Sequence, residues 1–212
     1  VAQPALAKVV NDRERQLHVF RRMLSFTAFV SFPLMFGLSL VSKELITVVI
    51  TDRWIESAVM LQIIAVWGGF MPIQSMFTNL LISRGRSKTF MWCTIIQGVL
   101  TLAILLIIQS HGIHSMLVLY SIFNISWLFV WVALASREIG ITLLMFLHDI
   151  LPYMLLSVAV MMLTYIVTAD VANKIVLLLS RVGIAAFLYI VIAYAVRSKE
   201  LCDIIEFLFK RK

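Results

Sequence analysis

Long uncharged stretches recur along the chain, and its charges gather in the short segments between them. An α-helix needs about 20 apolar residues to cross a hydrocarbon core of about 30 Å, and six stretches meet that length. The first covers residues 23–42 and is interrupted only by Pro33. The second covers residues 59–83, with Gly68, Gly69 and Pro72 near its middle. The next two share the 48 uncharged residues 89–136, which as one helix would extend about 72 Å, too far for a single crossing. The polar run Ser110-His111-Gly112-Ile113-His114-Ser115 predicts a hairpin turn there, leaving crossings at 89–109 and 115–136. The last two, 150–169 and 175–196, are joined by the short segment 170–174. The pattern predicts an all-α polytopic membrane protein whose six transmembrane helices occupy residues 23–196.

Six crossings make the loops alternate between the two faces of the membrane, so the basic residues test the reading. Fourteen of the 18 Lys and Arg fall on one side, Lys43, Arg53 and Lys174 on the other, and Arg181 within the last crossing. By the positive-inside rule the richer side is cytoplasmic, which places both ends of the chain there. Residues 1–22 read as an interfacial linker, with Leu6, Val9, Val10, Leu17 and Phe20 set among charges. Residues 43–57 continue the first helix to the outer face, where Trp54 is placed to anchor in the head-group layer. In the tail, 197–212, Leu201, Ile204, Ile205, Leu208 and Phe209 oppose Lys199, Asp203, Glu206 and Lys210, which predicts an amphipathic helix lying on the inner leaflet.

Composition agrees. The chain is 62% apolar and 14% charged with mean hydropathy +1.01, against about 45–50% and about 25% in soluble domains. That excludes an ordinary soluble enzyme, a disordered tail and a nucleic-acid-binding module. The net charge of +7 then reflects loops facing anionic lipid rather than a nucleic-acid partner. Cys93 and Cys202 both fall on the reducing side, so no disulfide framework follows. The first residues, starting at Val1, lack the pattern of a signal peptide and suggest a piece of a longer protein.

Little in the sequence carries covalent chemistry. His111 and His114 stand three apart around Gly112 with no carboxylate or thiol nearby, which reads as a polar outer turn rather than a metal site. Asp149, beside His148, reads as the inner boundary of the fifth crossing. No nucleophile triad, phosphate loop or paired-cysteine motif is present, so neither an enzyme nor a cofactor or metal is expected. Arg181 lies about six residues from the outer end of the last crossing. A charge at that depth is a functional candidate by default, and its long side chain is also able to snorkel to the interface. Gln62, Gln74, Asn79, Gln97 and Asn124 are uncharged polar groups inside spans, which turn inward to bond a neighbouring helix or line a hydrated path. Gln74, Asn79 and Gln97 belong to consecutive crossings and are expected to share a face. Gly68, Gly69 and Pro72 weaken the second span at mid-depth, as in the bent helices of transporters.

The ordered features Gln3-Pro4-Ala5-Leu6, Asp12 with Arg13 and Arg15, Ser31-Phe32-Pro33-Leu34, Asp52-Arg53-Trp54 and Gly85-Arg86-Ser87-Lys88 resemble the Wzx-type flippases of lipopolysaccharide, O-antigen and exopolysaccharide. These belong to the polysaccharide transporters of the multidrug, oligosaccharidyl-lipid and polysaccharide exporter superfamily. The resemblance covers most of the chain, clearest over residues 1 to about 110. It implies a MATE-like fourteen-helix fold of which this chain forms the last six helices. The implied activity is movement of an undecaprenyl-diphosphate-linked oligosaccharide from the inner to the outer leaflet of the bacterial cytoplasmic membrane by alternating access. The implied partners are that lipid-linked substrate, membrane lipids and the remaining N-terminal helices. On this resemblance Gln74, Asn79 and Gln97 become cavity-wall candidates, and Arg84, Arg86 and Lys88 stand at the cytoplasmic mouth, where they attract the diphosphate. Two alternatives stay open: an ion-coupled exporter of cationic drugs, which wants an acid inside a span, and a membrane-embedded glycan polymerase or ligase, which wants larger outer loops.

Overall fold

A computed structural model describes residue 6 and residues 12–195. The structure carries six helical segments long and apolar enough to cross a membrane, and among the described residues there is no strand. The amphipathic tail, both chain ends, Cys202 and most of residues 1–11 lie outside the described residues.

Helix α1, Arg13–Val49, is 37 residues long, about 55 Å, and therefore projects beyond the hydrocarbon core. Asp12 caps it by accepting a hydrogen bond from the Arg15 amide at 3.0 Å, and Glu14 adds a negative charge in the first turn. Residues 13–22, expected at the lipid interface, are the first turns of this helix. Phe20 is fully buried there, its ring 5.2 Å from Phe77. A 3-10 turn, Asp52–Trp54, leads into α2, Ile55–Gly68, and α3, Met71–Ser83.

The second crossing is thus a broken helix, and the break has a visible chemistry. Pro72 sits in the first turn of α3, where a missing N–H costs least. The Ser31 hydroxyl donates to the Gly69 carbonyl at 2.8 Å, satisfying an acceptor at the break. Gly69 is also where α1 comes closest: a Cβ there would meet Phe32 at 3.2 Å and Phe36 at 3.3 Å.

The hairpin follows as α4, Ser87–Ile108, a 3-10 turn, Gln109–His111, and α5, Ile113–Ile139. Gly140 ends α5 in the left-handed region, φ 77°, with its amide returning to the Ser136 carbonyl. Helix α6, Leu143–Val167, is capped by Thr142, and α7, Lys174–Ala195, closes the order. Helix α6 begins ahead of residue 150, where the sequence pattern starts the crossing, and includes Asp149, which Arg21 pairs.

Helix α1 forms the centre, packing against every other helix except α4. Aromatic rings fill the space around it: Phe77 also meets Phe146 at 5.6 Å, Phe29 meets Tyr153 and Tyr189, and Phe32 meets Phe70 at 5.1 Å. Helix α4 is peripheral. Only Cys93 and Gln97 are buried on it, and Trp92, Val99, Leu102 and Ile107 face outward, apolar on every side as a lipid or a neighbouring bundle demands.

Candidate substrate pathway and buried polar groups

The amides at mid-depth form a ladder. The Gln74 Nε2 donates to Gln97 Oε1 at 3.4 Å, Gln97 Nε2 donates to Asn124 Oδ1 at 2.8 Å, and Asn124 Nδ2 returns to the Tyr120 carbonyl at 2.8 Å. Three helices, α3, α4 and α5, are joined in this way. Gln97 and Asn124 are buried, while Gln74 is half-buried and its Oε1 has no partner. Asn79 makes no hydrogen bond among the described side chains. Five residues past Gln74, it stands about 140° round α3, which separates it from the ladder. The structure therefore joins Gln74 to Gln97, brings in Asn124, and leaves Asn79 apart.

The basic loop divides three ways. Arg84 ends α3, and its Nε and Nη2 are buried without an acceptor. Arg86 Nε pairs with Glu138 Oε1 at 2.8 Å, tying the loop to the end of α5. Lys88 is exposed in the first turn of α4. Gly85 makes the turn between them at φ 71°, a conformation that side chains with a Cβ adopt at a cost.

Arg181 does not snorkel. It is 7% exposed, with Nη1 2.8 Å from Glu44 Oε2 and the Tyr165 ring 5.2 Å away. Its Nε donates to Thr168 Oγ1 at 3.3 Å and Nη1 to the Leu40 carbonyl at 3.4 Å. The contact with Glu44 is an ion pair without hydrogen-bond alignment, and Glu44 is itself 7% exposed. At the other end of α1, Arg21 holds Asp149 with two bonds, Nε to Oδ2 at 2.7 Å and Nη2 to Oδ1 at 2.6 Å. The fork geometry of guanidinium and carboxylate suits such a pair. Neither partnership was visible from spacing, since Glu44 and Arg21 lie 137 and 128 residues from their partners. The available signal was that Asp149 and Arg181 were charges with no local counterion.

The His111 turn is exposed, with Ser110 Oγ 3.1 Å from His111 Nδ1 and the Ser115 hydroxyl donating to the His111 carbonyl. Among the described residues, no three His, Cys, Asp or Glu side chains are gathered to hold a metal.

These features define a multi-pass α-helical membrane protein with a broken second crossing and polar groups bonded across its helices. Comparison with known proteins narrows the class. Residues 1–59 match the family described as "Polysaccharide biosynthesis protein". The chain is 26% identical over 126 residues to the teichuronic acid biosynthesis protein TuaB of Bacillus subtilis, a match covering 59% of this chain and 26% of that protein. It is 29% identical over 83 residues to the lipopolysaccharide biosynthesis protein WzxC of Escherichia coli, covering 39% and 17%. A membrane protein in the cps region of Klebsiella pneumoniae is 25% identical over 85 residues, covering 40% and 18%. The chain thus matches about a quarter or less of each relative's length. No solved structure matches. Together the matches support the polysaccharide-flippase family that the sequence features resemble.

Proposed function

We propose that this chain is the C-terminal helical portion of a transporter that moves polyprenyl-diphosphate-linked oligosaccharide across the bacterial cytoplasmic membrane for surface polysaccharide synthesis. The observation that carries the reading is the family match over residues 1–59, which reaches through α1 into the start of α2. Relatives named for teichuronic acid and for lipopolysaccharide share sequence with one chain. A step common to different glycans favours a carrier over an enzyme that builds one linkage. The physical obstacle is the same for all of them: sugars and phosphates do not enter hydrocarbon without a polar path.

In this reading Gln97 and Asn124 hold the wall together and Gln74, with its unpartnered carbonyl oxygen, borders the path, while Asn79, about 140° round α3, does not share that face. Lys88 and the unpaired Arg84 guanidinium attract the diphosphate at the cytoplasmic mouth, and Arg86 holds the loop against Glu138. Arg181, bound to Glu44, leaves the list of pathway residues. An exporter of cationic drugs would use an unpaired carboxylate inside the bundle. The buried acids Glu44 and Asp149 are each held by an arginine.

The test is complementation. The whole gene, restored to a strain lacking its surface-polysaccharide flippase, is expected to return lipid-linked glycan to the outer leaflet. A protein present at normal membrane abundance that returns none, yet lowers cellular accumulation of cationic dyes, overturns the proposal.

A further inference from the structure

Helix α1 carries charges toward both ends, and at each end one of them pairs with another helix: a cation at one end, an anion at the other. Arg21 binds Asp149 of α6, and Glu44 meets Arg181 of α7. The two sites are about 35 Å apart along the helix, slightly more than the roughly 30 Å of a membrane's apolar layer. Between them the Tyr189 hydroxyl of α7 donates to the Phe29 carbonyl of α1 at 2.8 Å, in a buried setting. Arg181 adds the Leu40 carbonyl, so α7 holds α1 at mid-depth and again at the outer end. The ladder of Gln74, Gln97 and Asn124 contains no group from α1, α6 or α7.

Ion pairs at opposite membrane faces suggest one obvious role, that of alternating gates, one open whenever the other is shut. In this structure both pairs are closed at once, as a clamp requires. The two pairs also fix register: sliding α1 by a turn separates both at once and leaves the buried Asp149, Glu44 and Arg181 without their counterions, which the low dielectric penalises heavily.

We infer that the two ion pairs are a permanent double clamp that makes α1, α6 and α7 one rigid body through the full thickness of the membrane. Movement during a transport cycle then falls to α3, α4 and α5, which the amide ladder joins, with the break between α2 and α3 as the hinge. This rests on the transporter reading above, though not on the identity of its substrate.

The test uses the whole gene product in native membranes, with native cysteines replaced. Two cysteine pairs are placed in one molecule, Arg21→Cys with Asp149→Cys and Glu44→Cys with Arg181→Cys, and linked by a short bifunctional methanethiosulfonate. Each pair removes both charges together, which leaves none stranded. Mass spectrometry counts links per molecule. A clamp gives doubly linked molecules at the product of the two single-pair yields. Alternating gates give doubly linked molecules well below that product, and that result overturns the inference. As a second arm, the charge exchanges R21D/D149R and E44R/R181E are compared with their single reversals. Recovery of at least half of the abundance lost in the single variants supports the clamp, and no recovery in either exchange refutes it.

Discussion

Glu44 and Arg181 are expensive residues to keep where they are, since each is almost fully removed from solvent and neither has another ion of opposite sign among its described partners. Breaking such a pair from one side leaves an uncompensated charge, at a cost of about 3 kcal/mol or more, whereas removing both ions together is far milder. Arg181→Gln is therefore expected to lower the thermal stability of the detergent-solubilised protein. Adding Glu44→Gln to it is expected to return most of the loss, and a double variant no more stable than the single one contradicts the pairing. The ladder works at a smaller scale. Gln97→Leu strands Asn124 and Gln74 together, and hydrogen bonds between membrane helices contribute about 0.6 to 1.7 kcal/mol each. A small fall in the unfolding midpoint with α4 more readily labelled at Cys93 is the expected outcome. Cys93 was legible in the sequence only as a lone thiol, and its burial came from the packing of α4 on its neighbours.

At the scale of elements, the broken second crossing was foreshadowed by Gly68, Gly69 and Pro72, because glycine weakens a helix and proline ends one. The sequence did not show that Ser31 of α1 supplies the missing donor, since that contact spans 38 residues. Ser31→Ala is expected to cost about 1 to 2 kcal/mol by leaving the Gly69 carbonyl unsatisfied, whereas Ser126→Ala, whose hydroxyl is exposed and bonds only within α5, is expected to be close to neutral. Thermal unfolding of the two variants side by side checks the contrast. The end of α5 makes a similar point. Gly140 at φ 77° permits the chain to turn back after one left-handed residue, and Gly140→Val is expected to destabilise by about 1 kcal/mol or more.

For the whole molecule, the predicted orientation has a direct check. A single cysteine at residue 2 or 212 is expected to resist membrane-impermeant maleimide added from outside intact cells; rapid labelling would invert the topology and move the basic loop to the other face. Under the proposed function, Lys88→Ala is expected to slow appearance of outer-leaflet glycan with membrane abundance unchanged, because Lys88 is exposed and makes no ion pair among the described residues. Arg86→Ala should act mainly through the loop, since its charge is already matched by Glu138. Equal effects of the two substitutions at equal abundance would remove the distinction.

Hydropathy by itself determined the number of crossings, since twenty apolar residues have no other place to go and a backbone in lipid must bond to itself as a helix. Composition and the lone pattern of breakers determined the class and the weak point of the second crossing. Ordered short motifs pointed to the flippase resemblance, which the match at residues 1–59 supports. What only the tertiary structure decided is partnership. Gln74 meets Gln97 while Asn79 does not, and Arg181 turns inward to Glu44 rather than outward to the interface. Asp149 is neutralised inside α6 by an arginine 128 residues away. The reason is physical: burial of an apolar stretch is a property of that stretch, but the free energy of a buried charge or amide depends on which group lies within about 3 Å of it, and that is set by how the helices pack.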